Sequence, residues 1–156
     1  MDETEKSLRI LVAEDDEDYF LLTKEALTQS GLAKHVFWVK DGEEMMDYLL
    51  RQGPYADPLA SARPDIILLD LNMPKKDGRE VLKEMKKSPD LAGIPVVVLT
   101  TSREEKDVVH SYQDGANSFI RKPLSYNRLV EILKAFRQYW LETVELPKRS
   151  VPTPQL

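Results

Sequence analysis

Short apolar runs alternate with amphipathic stretches along nearly the whole chain, and no other feature restricts the fold as much. Leu8 to Ala13 (LRILVA), His35 to Val39 (HVFWV), Asp65 to Leu69 (DIILL), Ile94 to Leu99 (IPVVVL) and a short Asn117 to Arg121 read as strands. Between them, helical spacing predicts Tyr19 to Ser30 closed by Gly31, and Asp41 to Gln52 with Met45, Met46, Leu49 and Leu50 on one side and Gly53 at its end. Gly78 to Lys87 and Arg103 to Gln113 follow. Ser125 can cap a long last helix carrying Leu129, Ile132, Leu133, Phe136 and Trp140. Strict alternation of this kind implies an α/β protein: a five-stranded parallel sheet with helices on both faces, the βα unit repeated five times. Continuous Val, Ile and Leu in the strands agrees, because parallel strands are buried on both sides.

A chain of 156 residues fits one domain with a proper core. Its boundaries are expected as an N-terminal extension over 1–7, the domain over 8–145, and a flexible, proline-containing tail over 146–156. A net charge of −5 argues against non-specific nucleic-acid binding, which needs a basic surface. The absence of cysteine excludes disulfides and thiolate-ligated zinc, and His35 and His110 alone do not make a histidine metal site. No apolar run has the length of a membrane span and the acidic N-terminus lacks a signal-peptide core, so a soluble, cytoplasmic protein is expected.

Parallel sheets place their sites at the carboxyl ends of the strands. There the chain carries Glu14-Asp15-Asp16 after the first strand, Asp70 after the third, Thr100-Thr101-Ser102 at the fourth and Lys122-Pro123 after the fifth. Each has an ordinary reading taken alone: a helix cap for Asp15 or Asp16, an Asx-turn for Asp70, a loop hydroxyl for Thr100, an exposed lysine for Lys122. Those readings do not explain why all four types sit at the right strand ends. Clustered carboxylates repel unless one protonates or a cation neutralises them. An all-oxygen donor set favours a hard ion such as Mg²⁺. A carboxylate beside such an ion and a lysine is also a plausible nucleophile towards phosphorus, giving an aspartyl phosphate.

The motifs ILVAEDD (10–16), ILLDLNMPKKDG (67–78), PVVVLTTS (95–102) and FIRKPL (119–124) resemble those of the receiver domain of two-component response regulators, over about residues 8 to 142. The resemblance implies a flavodoxin-like receiver in which Asp70 accepts phosphate from a histidine kinase. Mg²⁺ would be bound by Asp15, Asp70 and the backbone carbonyl of Asn72, with Glu14 acting through a metal-bound water. Asp16 falls beyond the acidic pair and is left out. Thr100 would bond a phosphoryl oxygen, Lys122 would pair with the phosphate, and Lys122-Pro123 would be cis. Phe119 takes the family's aromatic switch position. It lacks a phenolic hydroxyl, so a switch with Thr100 would rest on packing. Asn72 and Ser102 would flank the hydrolytic water and tune phosphate lifetime.

A narrower likeness, in LNMPKKDGREVL (71–82), the 53–64 loop and YWLETVELP (139–147), is to the small response regulators of cyanobacterial and bacterial phytochromes. It implies a phytochrome-type kinase as partner and a homodimer through the last strand and helix. Phe136, Tyr139, Trp140 and Val144 are the interface candidates, unless they finish the monomer core. With about a dozen residues after the last helix, output is expected through protein contacts rather than a further domain. Two rivals stand beside this reading. A phosphohydrolase of the haloacid-dehalogenase type would want a second acid where Asn72 stands, and a degenerate receiver would lack one of Asp70, Asp15, Thr100 or Lys122.

Overall fold

Strand residues of alternating sidedness organise the molecule. The computed structural model describes residues 8–57 and 61–146. In chain order these form β1 (Leu8–Ala13), α1 (Glu17–Ser30), β2 (Ala33–Val39), α2 (Gly42–Leu50), β3 (Ile66–Leu69), α3 (Gly78–Lys87), a short α4 (Pro89–Ala92), β4 (Val96–Thr100), α5 (Glu105–Gln113), β5 (Ser118–Arg121) and α6 (Tyr126–Arg137). The strands pair in parallel in the order β2-β1-β3-β4-β5. Leu11, Ala13, Ile67, Leu69, Val96 and Val98 point into one core with Met45, Tyr48, Val81, Leu82 and Met85 of α2 and α3. Ile10, Val12, Ile66, Leu68, Val97 and Leu99 point into the other with Phe20, Ala26, Leu27, Leu129 and Leu133 of α1 and α6. This period-two split, apolar on both faces, makes residues 10–13 of β1, all of β3 and residues 96–99 of β4 continuous hydrophobic runs.

Most differences from expectation lie at element ends. Asp16 caps α1 by accepting the N–H groups of Asp18 and Tyr19, so the helix starts two residues early. α2 stops at Leu50 because Arg51 already takes the left-handed conformation, φ 57°, two residues before Gly53. The helix ends on Arg51 N–H and Gln52 N–H, which reach back to Tyr48 and Asp47 carbonyls. α4 was not expected; Pro89 at its first position starts it. After Arg137 the last helix continues in wider π turns over Gln138–Thr143, with Val144 N–H bonded to the Tyr139 carbonyl at 3.0 Å. The expected N-terminal extension lies outside the described residues, as does the tail except Leu146, which packs on the α1/α6 core.

Because β1 stands between β2 and β3, the chain leaves it in one direction for β2 and in the other for β3 to β5. The carboxyl ends of β1 and β3 therefore flank the point where strand order reverses, where open parallel sheets form their crevice.

Candidate functional site

Glu14 and Asp15 follow β1 directly, Asp70 follows β3, Thr100 ends β4 and Lys122 follows β5. Adjacent register brings all four ends together: Asp70 N–H donates to the Ala13 carbonyl at 3.0 Å, and Lys122 N–H to the Thr100 carbonyl at 2.8 Å. Asp70 and Glu14 are only 5% and 3% exposed and Thr100 is fully buried, whereas Asp15 is exposed. One carboxylate oxygen from each of Glu14, Asp15 and Asp70 lies within 4.8 Å of the others.

Lys122 bridges the two buried acids, with Nζ 2.7 Å from Glu14 Oε1 and 3.1 Å from Asp70 Oδ2. Buried carboxylates require such partners. Burial alone would lower the Lys122 ammonium, but its hydrogen bond to Glu14 and the charges of Asp70 and Glu14 outweigh it, so its pKa is raised. Burial pushes the Glu14 carboxyl up, against the opposing pull of Lys122. Glu14 uses both oxygens, since Oε2 accepts Asp16 N–H at 3.1 Å. Asp70 Oδ1 accepts Asn72 N–H at 3.1 Å, so the Asx-turn exists alongside the ion pair. One ammonium against three carboxylates leaves the cluster short of positive charge. The donor set, all oxygen and open on the Asp15 side, fits a divalent cation.

The expected cis peptide is not found. Lys122–Pro123 is trans, and from that backbone the lysine reaches both acids. X–Pro bonds favour trans by about 0.5–1 kcal/mol, so no cost opposes this arrangement. Phe119, half-buried on β5, packs against the α2/α3 core, and its N–H donates to the Tyr112 hydroxyl at 3.1 Å. Thr100 Oγ1 accepts Ser102 N–H at 3.3 Å. Of the interface candidates, Trp140 is 9% exposed within the α1/α6 core, and Phe136 and Val144 pack against that core. Tyr139 alone among them is largely exposed, at 51%.

Three residues of the site were not anticipated. The Tyr19 ring lies 4.2 Å under the Lys122 ammonium, a cation–π contact. Arg79 and Asp107 form a bidentate pair, Nε to Oδ1 at 2.8 Å and Nη2 to Oδ2 at 2.7 Å, beside Asn72 and Ser102. The Arg79 hydrogen bond, acting against burial and aided by Ser102, holds the Asp107 carboxyl down at about 2. The only signal in the sequence for this pair was an acid in the first turn of one helix and a base in that of another, the pattern of any solvated face.

The family model for the response regulator receiver domain matches residues 10–134. Response regulator Rcp1 of Synechocystis sp. strain PCC 6803 is 44% identical over 146 residues, covering 94% of this chain and 97% of that protein. The crystal structure of the phosphorylated cyanobacterial phytochrome response regulator RcpA is 46% identical, with a TM-score of 0.83 over 91% of this chain and 99% of that one. The Mn²⁺-bound form of Rcp1 superposes with a TM-score of 0.81 at 44% identity, over 90% of this chain and 99% of that one.

Proposed function

We propose, since this chain belongs to the response regulator receiver domain family, that it takes a phosphoryl group from a histidine kinase onto Asp70. The chain is a phosphorelay signalling receiver and not a hydrolase. The observation that carries the assignment is the convergence on Asp70 of a lysine, a backbone N–H and two neighbouring carboxylates at the strand-order reversal. An Asp70 oxygen attacks the phosphorus of a phosphohistidine. The N–P bond breaks, the imidazole leaves with the bonding pair and takes up a proton, and an O–P bond forms to give the mixed anhydride.

Lys122, already directed at Asp70, follows the negative charge onto a phosphoryl oxygen. Thr100 accepts from Ser102 N–H and so keeps its own hydroxyl hydrogen to donate to that group. Phe119 follows Thr100 by packing, since Phe119 carries no hydroxyl to bond it. Asp15 and Asp70, with the Asn72 carbonyl and with Glu14 through a water, are the ligands proposed for Mg²⁺. When bound, that ion supplies charge neutralisation at the transferred phosphoryl group.

The finer proposals concern partners. The similarity to phytochrome response regulators supports a phytochrome-type kinase as phosphodonor. Exposed Val109 and Tyr112 on α5, Leu124 just after β5 and Tyr139 in the turns after α6 support self-association through the last strand and helix. Among the described residues no helix is long and apolar enough to cross a membrane, which supports a cytoplasmic site of action.

Incubation with radiolabelled acetyl phosphate and Mg²⁺ is expected to label the protein, and Asp70→Asn is expected to abolish it. Equal labelling of the variant would remove Asp70 as acceptor. Phosphotransfer from candidate kinases, run in light and dark, tests the phytochrome pairing.

A further inference from the structure

Asp107 is 3% exposed, although it stands in the first turn of a surface helix, and it spends its carboxylate on residues that face the phosphoacceptor site. Oδ2 accepts the Ser102 hydroxyl at 2.5 Å as well as Arg79 Nη2, while Oδ1 accepts Arg79 Nε. The same guanidinium turns its other face to the loop after β3. Nη1 and Nη2 are each 3.5 Å from Asn72 Oδ1, and Nη1 is 3.5 Å from the Leu71 carbonyl and 3.4 Å from Asp77 Oδ2. Asn72 N–H is bonded to Asp70 Oδ1 and Ser102 N–H to Thr100 Oγ1. An unbroken arc of polar contacts thus runs Asp70, Asn72, Arg79, Asp107, Ser102, Thr100, joining the acceptor to the hydroxyl at the end of β4 around the outside of the site. A planar guanidinium forked onto a buried carboxylate makes that arc stiff.

We propose that Arg79 and Asp107 are positioning residues that hold Asn72 and Ser102 in place and thereby prolong the life of the phosphoryl group. This rests on Asp70 being the acceptor. Loss of the group is hydrolysis: a water oxygen attacks phosphorus, the bond between phosphorus and the Asp70 oxygen breaks, the electron pair returns to the carboxylate, and the water proton leaves with inorganic phosphate or to solvent. Asn72 and Ser102, each bonded through its N–H to a side chain of the site, stand at the rim that such a water would cross. With the arc intact, the Ser102 hydroxyl hydrogen is committed to Asp107 and the Asn72 side-chain oxygen Oδ1 faces the guanidinium, so neither orients a water towards phosphorus. Releasing the pair frees a donor and an acceptor at the rim of the site.

The test uses the full chain labelled with radioactive acetyl phosphate and Mg²⁺, cleared of donor, with loss of label followed over time. Arg79→Ala/Asp107→Ala removes both charges and leaves no buried acid unpaired; its label is expected to decay about tenfold faster than that of the unsubstituted chain. Arg79→Lys keeps the charge without the fork and is expected to fall between the two. In a Ser102→Ala background, whose hydroxyl is already gone, the double substitution is expected to accelerate decay by a smaller factor. That shortfall is not produced by general loosening of the fold, and melting curves confirm that each variant is folded. Decay that is unchanged or slower in the double variant, or the same factor with and without Ser102, would overturn the proposal. Failure of the underlying assignment looks different, because label would then survive Asp70→Asn.

Discussion

Gly78→Ala tests how tightly the fold holds Asp70, the proposed acceptor. Gly78 opens α3, its N–H donates to the Leu71 carbonyl at 2.9 Å, and Asp77 before it caps the helix in a reciprocal pair with Glu80. A Cβ at this position would lie 2.5 Å from the Asp70 carbonyl oxygen and 2.8 Å from Leu71 Cα. Both atoms are backbone, so no rotamer change relieves the overlap; either α3 or the Asp70–Leu71 segment must shift. Overpacking of this kind costs about 1–3 kcal/mol, and two backbone clashes put it at the upper end. Alanine returns about 0.4–1 kcal/mol by restricting the unfolded chain, which leaves a net loss of about 1–2.5 kcal/mol. Urea denaturation should show that loss as a lower midpoint. The initial rate of labelling by acetyl phosphate should fall roughly tenfold or more, because Asp70 is displaced from its 3.1 Å contact with Lys122. Gly93→Ala is the control: no heavy atom lies within 4 Å of its added Cβ, and it should be neutral or slightly stabilising. If Gly78→Ala matched Gly93→Ala in both stability and labelling rate, the close approach of α3 to the acceptor would not be a constraint.

Three further outcomes are expected. The Asp107 carboxyl drops from its ordinary 3.8 to about 2 on folding, so the stability it contributes is fully present above about pH 4 and is lost as pH falls through 2. The full shift is worth about 2.5 kcal/mol. With the Arg79 end of the pair 37% exposed and screened, about 1–1.5 kcal/mol should remain. The stability gap between the unsubstituted chain and Asp107→Asn should therefore narrow between pH 4 and pH 2 in urea titrations, and a gap independent of pH would contradict the pairing. Trp140→Ala should cost about 3 kcal/mol in the same assay, because the ring is built into the α1/α6 core. Tyr139→Ala should leave monomer stability within about 0.5 kcal/mol, and any effect it has should appear as a lower mass by light scattering.

The uneven legibility of this chain in its sequence has a physical origin in the geometry of strands and helices. A parallel strand buried on both faces has nowhere to put a polar residue except its end, so the end of each apolar run marks a place in space as well as in sequence. Ile66 to Leu69 announced β3 and also located Asp70. Once Glu14, Thr100 and Lys122 were read at the ends of β1, β4 and β5, their meeting followed from topology alone, and the contacts are there. Helix ends are weaker markers. Arg51 ends α2 in a left-handed conformation that glycine adopts more readily, and with Gly53 two residues on, the pattern pointed to the wrong position. The aromatic run at Tyr139 and Trp140 suggested an interface because it extends the apolar character of the last helix beyond what one sheet face needs. Trp140 instead joins Leu129 and Leu133 in the core, while its neighbour Tyr139 stays out.

The same asymmetry explains why Asp70, the proposed acceptor, was readable and the arc around it was not. An acid on a buried strand must have a partner, since desolvating it alone costs several kcal/mol, and this need directs attention to Lys122 in advance. Arg79 and Asp107 carry no such demand in the sequence. On helices otherwise rich in exposed Lys and Glu, each is indistinguishable from a solvated charge until α3 and α5 are placed side by side. Only then does Asp107 become a buried carboxylate, and only then does Arg79 become its obligatory counterion. Their separation of 28 residues lies beyond any local pattern. The chemistry of the site was thus legible wherever burial was dictated by the strand itself. The control over its lifetime proposed for Arg79 and Asp107 rests on burial that only tertiary packing creates, and had to be read from the structure.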